Sequence, residues 1–163
     1  MIPIDLTVSA IVENDGQFLI VEERSSGVIV FNQPGGHIES GESPEQAAER
    51  ETLEESGCII NVTELLGVYL WIHPQTRRNF LRIVYVADLL SRDQKRKLDD
   101  GIQAVHWFTR SELRARRRDL RTPMVMRVID DYLAGKHEPV DKMASLLPVQ
   151  QHVQEALASV NLV

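Results

Sequence analysis

The sequence predicts an α/β (α+β) chain, a single mixed β-sheet with helices on its faces. Three observations predict it. Two segments rich in β-branched residues flank Asn14-Asp15-Gly16, the pattern of an antiparallel hairpin. A helix with both ends marked follows at 44–56. Further strand-like segments lie between and after the helices, so helices and strands share one core.

The elements follow in order. IDLTVSAIVE, 4–13, reads as a strand, and QFLIVEER, 17–24, as its return. Ser25-Ser26-Gly27 breaks the pattern before a short strand, VIVF, at 28–31. Asn32-Gln33-Pro34-Gly35-Gly36 is a tight loop. Ser43 is a candidate N-cap, with Pro44 at the first helical position and Gln46 placed for a capping box. Gly57 is the stop. CIINVTELLGVYLWI, 58–72, predicts one or two strands, and His73-Pro74-Gln75-Thr76 a turn. NFLRIVYVADLL, 79–90, is a strand, 91–101 a charged loop, and IQAVHWF, 102–108, a strand. Thr109 or Ser111 caps a helix running through Arg118, and 123–135 is amphipathic. Residues 1–140 form the expected domain, and 141–163 a tail with a helical pattern at 149–160.

Composition narrows the function classes. A chain of 163 residues suits one domain with one core. A net charge of −6 argues against gripping a nucleic-acid backbone. Arg110, Arg114, Arg116, Arg117, Arg118 and Arg121 make the one basic run, which reads as a solvated helix face. Cys58 is the sole cysteine, so no intrachain disulfide forms, and the histidines show no zinc spacing with it. There is no signal-like N-terminus and no apolar run of membrane-spanning length. A cytoplasmic monomer or homodimer is expected, with no membrane partner.

The chemistry concentrates in GGHIESGESPEQAAERETLEESGC, 35–58. On a helix each residue advances about 100°, so Glu54 and Glu55 fall within about 60° of Glu51. Like charges so placed cost only about 0.2–0.5 kcal/mol per pair, so a plain solvated face is allowed. A hard divalent cation is the other reading: magnesium takes a few carboxylate oxygens plus substrate phosphate and water. Ala47 and Ala48 leave room for a ligand one turn back, and Gly35 and Gly36 let backbone approach a metal or phosphate.

The spacing is specific. After Gly36 come five residues, Glu42, seven more, then Arg50-Glu51-Thr52-Leu53-Glu54-Glu55-Ser56-Gly57-Cys58. This resembles the Nudix box: glycine, five residues, glutamate, seven residues, then Arg-Glu-aliphatic-x-Glu-Glu-x-Gly-aliphatic. Thr52 and Cys58 stand at the two aliphatic positions. The resemblance implies an α/β/α sandwich and a hydrolase of diphosphates linked to another moiety, using magnesium or manganese. It implies Glu51, Glu54 and Glu55 as metal ligands, joined by the Gly35 carbonyl. Arg50 would orient a box glutamate, and Glu42 would support the metal shell. The general base is Glu55, Glu54, or an acid outside the box, for which Asp99 and Asp100 are candidates.

Beyond the box, FNQPGGHIE, WIHP, FLR, LRTP and YLAGKHEPV are similar to bacterial NudJ-type phosphatases over about residues 5–140. That similarity implies nucleoside di- and triphosphates, or hydroxymethylpyrimidine diphosphate, as substrates. Pro74 lies near the marker proline of ADP-ribose pyrophosphatases, which keeps that substrate class as an alternative. A non-catalytic nucleotide-binding module is a second alternative, which the complete set of box residues disfavours. The substrate-binding candidates are Arg82, Trp71, Gln33, Asn32 and Arg24. Trp71 is offered for ring stacking and the arginines for phosphate.

Overall fold

The computed structural model describes residues 4–144. Strand β1 (Ile4–Asn14) turns through Asp15-Gly16 into β2 (Gln17–Ser25), and β3 is Val28–Asn32. Helix α1 (Pro44–Ser56) leads to β4 (Cys58–Ile72), β5 (Asn79–Arg92) and β6 (Ile102–Thr109). Helices α2 (Arg110–Ala115) and α3 (Met124–Leu133), a two-residue strand β7 (Glu138–Pro139) and a short α4 (Asp141–Ala144) complete the described chain.

The sheet order is β3-β2-β1-β5-β4-β7, with β6 on the other side of β2. It is mixed, as expected. β1 runs parallel to β5 from Ile4↔Asn79 to Val12↔Ala87, while the remaining pairs are antiparallel. β1 is buried from Thr7 to Val12 because both faces are covered. Val8 points to the layer beneath α1, with Ala47, Ala48, Leu65, Ile83 and Tyr85. Ile11 points to the opposite layer, with Val84, Val86, Leu113 and the α3 residues Val125, Val128 and Ile129. The alternation along β1 and β5 produces a helix–sheet–helix sandwich.

One irregularity positions the site. β1 and β2 pair only beside their turn, at Glu13↔Phe18 and Asn14↔Gln17. Beyond that they separate, and β2 continues with β3 from Val21↔Asn32 to Ser25↔Val28. The gap between β1 and β3 is closed by 34–36. Val8 N–H donates to the Gly36 carbonyl at 2.8 Å, and Ala10 N–H to that of Pro34 at 3.2 Å.

Of the two readings of 58–72, the structure has one strand, carrying bulges and not a break. Other expectations are corrected. β5 runs on to Arg92, shortening the expected loop. α2 stops at Ala115, short of Arg118, because the next residues pair with β3: Phe31 N–H donates to the Asp119 carbonyl and Arg121 N–H to that of Phe31. Ala47 and Ala48 do not line open space. Both are fully buried against the sheet, where their size lets α1 approach closely. The helical pattern at 149–160 lies outside the described residues.

Candidate active site

Helix α1 is anchored as its punctuation requires. The Ser43 hydroxyl accepts from Gln46 N–H, the Gln46 side chain accepts from Ser43 N–H, and Gly57 caps the other end with φ +71°. Two of its glutamates hold the helix to the sheet. Glu45 accepts from the Tyr85 hydroxyl at 3.0 Å, and Glu49 from Val62 N–H at 3.1 Å.

Glu42, Glu51 and Glu54 gather around Arg50. Its Nε and Nη2 donate to the two oxygens of Glu42 at 3.0 and 2.7 Å, a bidentate pair. Nη1 donates to Glu51 Oε1 at 3.0 Å and to Glu54 Oε2 at 2.9 Å. Nη2 also donates to the His37 carbonyl at 3.0 Å, tying the glycine loop to the helix. Glu42 Oε1 in addition accepts from Glu39 N–H at 2.7 Å. The Arg50 hydrogen bond holds the Glu42 carboxyl below the usual range, and Glu42 in turn keeps Arg50 protonated.

The glycine pair makes room for these acids. A Cβ on Gly36 would lie 2.5 Å from Glu51 Oε1. A Cβ on Gly35 would lie 2.2 Å from the Val8 carbonyl oxygen. Gly35 N–H donates to Glu55 Oε2 at 2.8 Å. The hydrogen bonds to β1 use the Pro34 and Gly36 carbonyls, so the Gly35 carbonyl is turned away from that strand. Burial raises the Glu51 carboxyl, against the pull of Arg50. Burial raises Glu55 to about 8, against the Gly35 hydrogen bond, with Glu23, Glu51 and Asp99 adding to the rise. Glu54 is more open, its side chain 33% exposed against 13% for Glu51.

Among the described residues, no three histidine, cysteine or acidic side chains converge as a preformed metal site. Arg50 draws Glu51 and Glu54 to itself, and Gly35 draws Glu55. The donor set nonetheless fits a hard divalent cation. It offers carboxylate and carbonyl oxygen, a cradle that any Cβ at position 36 would fill, and two acids whose burial disfavours their charge until a cation offsets it.

A cavity of about 320 Å³ opens beside Glu55, Gly35 and Gly36. Of the expected substrate contacts, Asn32, Trp71 and Arg82 line it. Trp71 forms wall with Phe80, their ring centroids 5.5 Å apart. Among the described residues, Arg82 reaches only long contacts to neutral acceptors, 3.3 Å to Thr7 Oγ1 and 3.5 Å to Asn32 Oδ1. Burial, with the neighbouring charge of Arg121, lowers its pKa. Gln33 and Arg24 are not brought there. Gln33 is buried and donates to the Val125 carbonyl at 2.9 Å, fastening the loop to α3. Arg24 is exposed, and its neighbour Glu23 lines the cavity instead.

Sequence reasoning missed Glu23, Thr7, Phe80 and Arg121. Glu23 Oε2 pairs with Arg121 Nη1 at 2.7 Å, joining β2 to the segment before α3. The alternation of β2 offered a signal for Glu23, but Arg121 arrives through pairing no local pattern shows. Of the two loop acids, Asp99 N–H donates to the Glu54 carbonyl at 3.1 Å, beside the α1 acids. Asp100 is fully exposed and sits 3.8 Å from Lys97.

This combination of sandwich, glycine loop and arginine-centred carboxylate helix defines a class, and comparison with known proteins agrees. The chain belongs to the NUDIX family: residues 3–128 match the NUDIX domain. It is a hydrolase of that family, whose members generally use divalent metal ions. More particularly, it is 32% identical over 136 residues to the Phosphatase NudJ of Shigella boydii serotype 4 (strain Sb227), covering 83% of this chain and 88% of that protein. The Phosphatase NudJ of Escherichia coli (strain K12) matches to the same extent. Among solved structures, a NUDIX hydrolase from Nitrosomonas europaea superposes with a TM-score of 0.83 at 43% identity, covering 85% of this chain and 95% of that one. No helix among the described residues is long and apolar enough to cross a membrane.

Proposed function

We propose that this protein is a magnesium-dependent pyrophosphohydrolase acting on nucleoside di- or triphosphates or on a small pyrimidine diphosphate. The observation that carries the reading is that Glu55, held by Gly35 N–H, lines a cavity with Arg82, while Arg50 holds Glu51 and Glu54 of the same helix beside it. The likeness to the NudJ phosphatases supports the substrate class, and the buried lone thiol of Cys58 is consistent with a cytoplasmic location.

Glu51, Glu54 and Glu55, with the Gly35 carbonyl, would hold magnesium; when bound, it would neutralise the diphosphate and acidify a water. Arg50 positions three acids at once and fixes the loop through His37. Gly35 N–H orients Glu55. Glu54, the more exposed of the acids on Arg50 Nη1, would take the proton of the attacking water. Arg82 meets a phosphate oxygen and relieves its own poor solvation. Trp71 and Phe80 hold the ring of the substrate between apolar surfaces.

The test is phosphate and pyrophosphate release, with magnesium, from GTP, GDP, ADP-ribose, NADH, a dinucleoside polyphosphate and hydroxymethylpyrimidine diphosphate. Turnover of the nucleoside phosphates and the pyrimidine diphosphate, lost in Glu54→Gln, is expected. Preference for ADP-ribose would replace the substrate class. Near wild-type turnover in a folded Glu54→Gln variant would remove the assigned base.

A further inference from the structure

The cavity beside Glu55 holds a second guanidinium. Arg82 comes to it from β5 and Arg121 from the segment before α3. Main chain fixes Arg121 at its base. Its N–H donates to the Phe31 carbonyl at 2.9 Å, and its neighbour Leu120 bridges Phe31 in parallel. On the other side, Thr122 Oγ1 accepts from Met124 N–H at 3.2 Å, at the start of α3. The Arg121 side chain is gripped at one corner. Nη1 lies 2.7 Å from Glu23 Oε2, and among the described residues the guanidinium has no other polar partner. Glu23 Oε1 is buried and accepts no hydrogen bond there, so the pair is one-pronged. An arginine carries five donors in a flat fork. Most of this fork is unclaimed, and 40% of the side chain is exposed.

Two cations so placed work against each other. Among the described residues, Arg82 has only its long contacts to Thr7 and Asn32. Burial, and after it the charge of Arg121, lowers the Arg82 pKa, while Glu23 and Glu55 oppose the fall. Arg121, Glu23 and Glu55 therefore all lie within electrostatic reach of Arg82. With Glu55 spent on a divalent cation, two guanidiniums face one carboxylate, and this wall of the cavity is left cationic. Like charges brought together away from water are unfavourable until an anion offsets them. A strut between β2 and the segment before α3 would account for Arg121 with Glu23. It does not account for Arg82 beside them or for the open edge of Arg121.

The charge on the wall specifies the anion. A diphosphate esterified at both ends has no second ionisation on either phosphorus, and the cation at Glu55 meets the charge it has. An uncapped terminal phosphate carries about −1.5 to −2 at pH 7, because a second oxygen ionises. That added charge is what the excess cation on this wall matches, and a planar fork grips two phosphate oxygens at once. Granted the diphosphate-hydrolysing reading above, on which this rests, we infer that Arg121, beside Arg82, binds the terminal phosphate and makes the protein selective for diphosphates with an uncapped end over those capped by a sugar or a second nucleoside.

The test compares ADP with ADP-ribose, which share a nucleoside and a diphosphate and differ in the cap. The full chain is used with magnesium, as wild type, Arg121→Gln and Arg121→Lys, folding being checked by circular dichroism. Two preferences are read: kcat/KM for the two compounds, and Kd by calorimetry for their uncleavable methylene-bridged analogues. Wild type is expected to favour the uncapped member in both. Arg121→Gln should lower kcat/KM for ADP about 10–100-fold further than for ADP-ribose, the loss of a hydrogen bond to a charged group. Arg121→Lys keeps the charge without the fork and should show the same shift at smaller size, which preserves the test if the glutamine variant does not fold. A wild-type preference for ADP-ribose overturns the inference. So does a preference unchanged in every variant that folds, the result a mere strut would give. Absence of turnover, with the binding preference present in wild type and lost in Arg121→Gln, removes the hydrolase reading and keeps the role of Arg121. Binding of neither analogue overturns that role.

Discussion

Gly35→Ala and Gly36→Ala are adjacent, chemically identical substitutions with opposite expected outcomes. At Gly36 the new methyl carbon lies 2.5 Å from Glu51 Oε1 and 2.6 Å from Cδ. Ordinary contact begins near 3.4 Å, so the carboxylate must retreat by about 0.9 Å. It can do so, since it is the far end of a flexible side chain. The stability cost is therefore small, within about 1 kcal/mol. A displacement of about 1 Å at a reacting centre costs about 100-fold in rate. Gly36→Ala is expected to keep its melting temperature to within a few degrees while losing about two orders of magnitude in kcat. At Gly35 the methyl carbon meets backbone, 2.2 Å from the Val8 carbonyl oxygen and 2.7 Å from Ser9 Cα, at a φ of +156°. Central strand β1 would have to shift, a cost of about 3 kcal/mol or more. Gly35→Ala is expected to melt well below wild type. The assay is phosphate release with magnesium beside thermal unfolding monitored by circular dichroism. Full activity in Gly36→Ala, or equal loss of melting temperature in both variants, would refute the reasoning.

Two further outcomes test the charge networks. Arg50→Lys keeps the charge but loses the two-pronged grip on Glu42, so activity should fall about 10–100-fold while secondary structure persists, as steady-state kinetics and circular dichroism will report. Asp131 is buried, and that raises its carboxyl; hydrogen bonds from Arg127, Lys136 and Tyr69 outweigh burial and bring it below 3.8. A depressed acid adds stability that is complete above pH 3.8 and fades as pH falls through the lower folded value. Asp131→Asn should therefore cost about 2 kcal/mol at pH 7, with the gap to wild type closing as urea titrations move to more acid pH; a constant gap would contradict the assignment.

What could be read in the chain beforehand was local. The capping box at Ser43 and Gln46, the left-handed Gly57 and the Asp15-Gly16 turn each depend on a few neighbouring residues, and each has its expected form. Glu51, Glu54 and Glu55 share one side of α1, and Arg50 sits one turn before Glu54, because helical spacing puts them there. The cavity was harder, because Thr7, Glu23, Arg82 and Arg121 come from four distant segments. Glu23 and Arg24 show the difficulty. In a strand, neighbours point to opposite faces, so a shift of one residue exchanges one charge for the other. Only the pairing of β2 with β3 and β6 decides which of them faces the cavity. The length of α2 failed for a related reason: arginine-rich helix propensity ran on to Arg118, but β3 captured the next residues.

The separation of β1 from β3 has a consequence for how such a protein diversifies. Glu55 comes from α1, while Thr7 and Arg82 alternate away from that helix, yet they border one cavity. They meet there because the strands on either side of the opening are bridged by backbone with no side chains at 35 and 36. The width of the passage is thus written in main chain, and the acid on one bank, Glu55, is held by main chain too, through Gly35 N–H. The other bank consists of replaceable side chains, Trp71, Phe80, Met124 and Arg121, carried on elements that are braced elsewhere. If the proposed reading holds, ligand preference would drift through those four positions while the glycine pair and the α1 acids stay as they are.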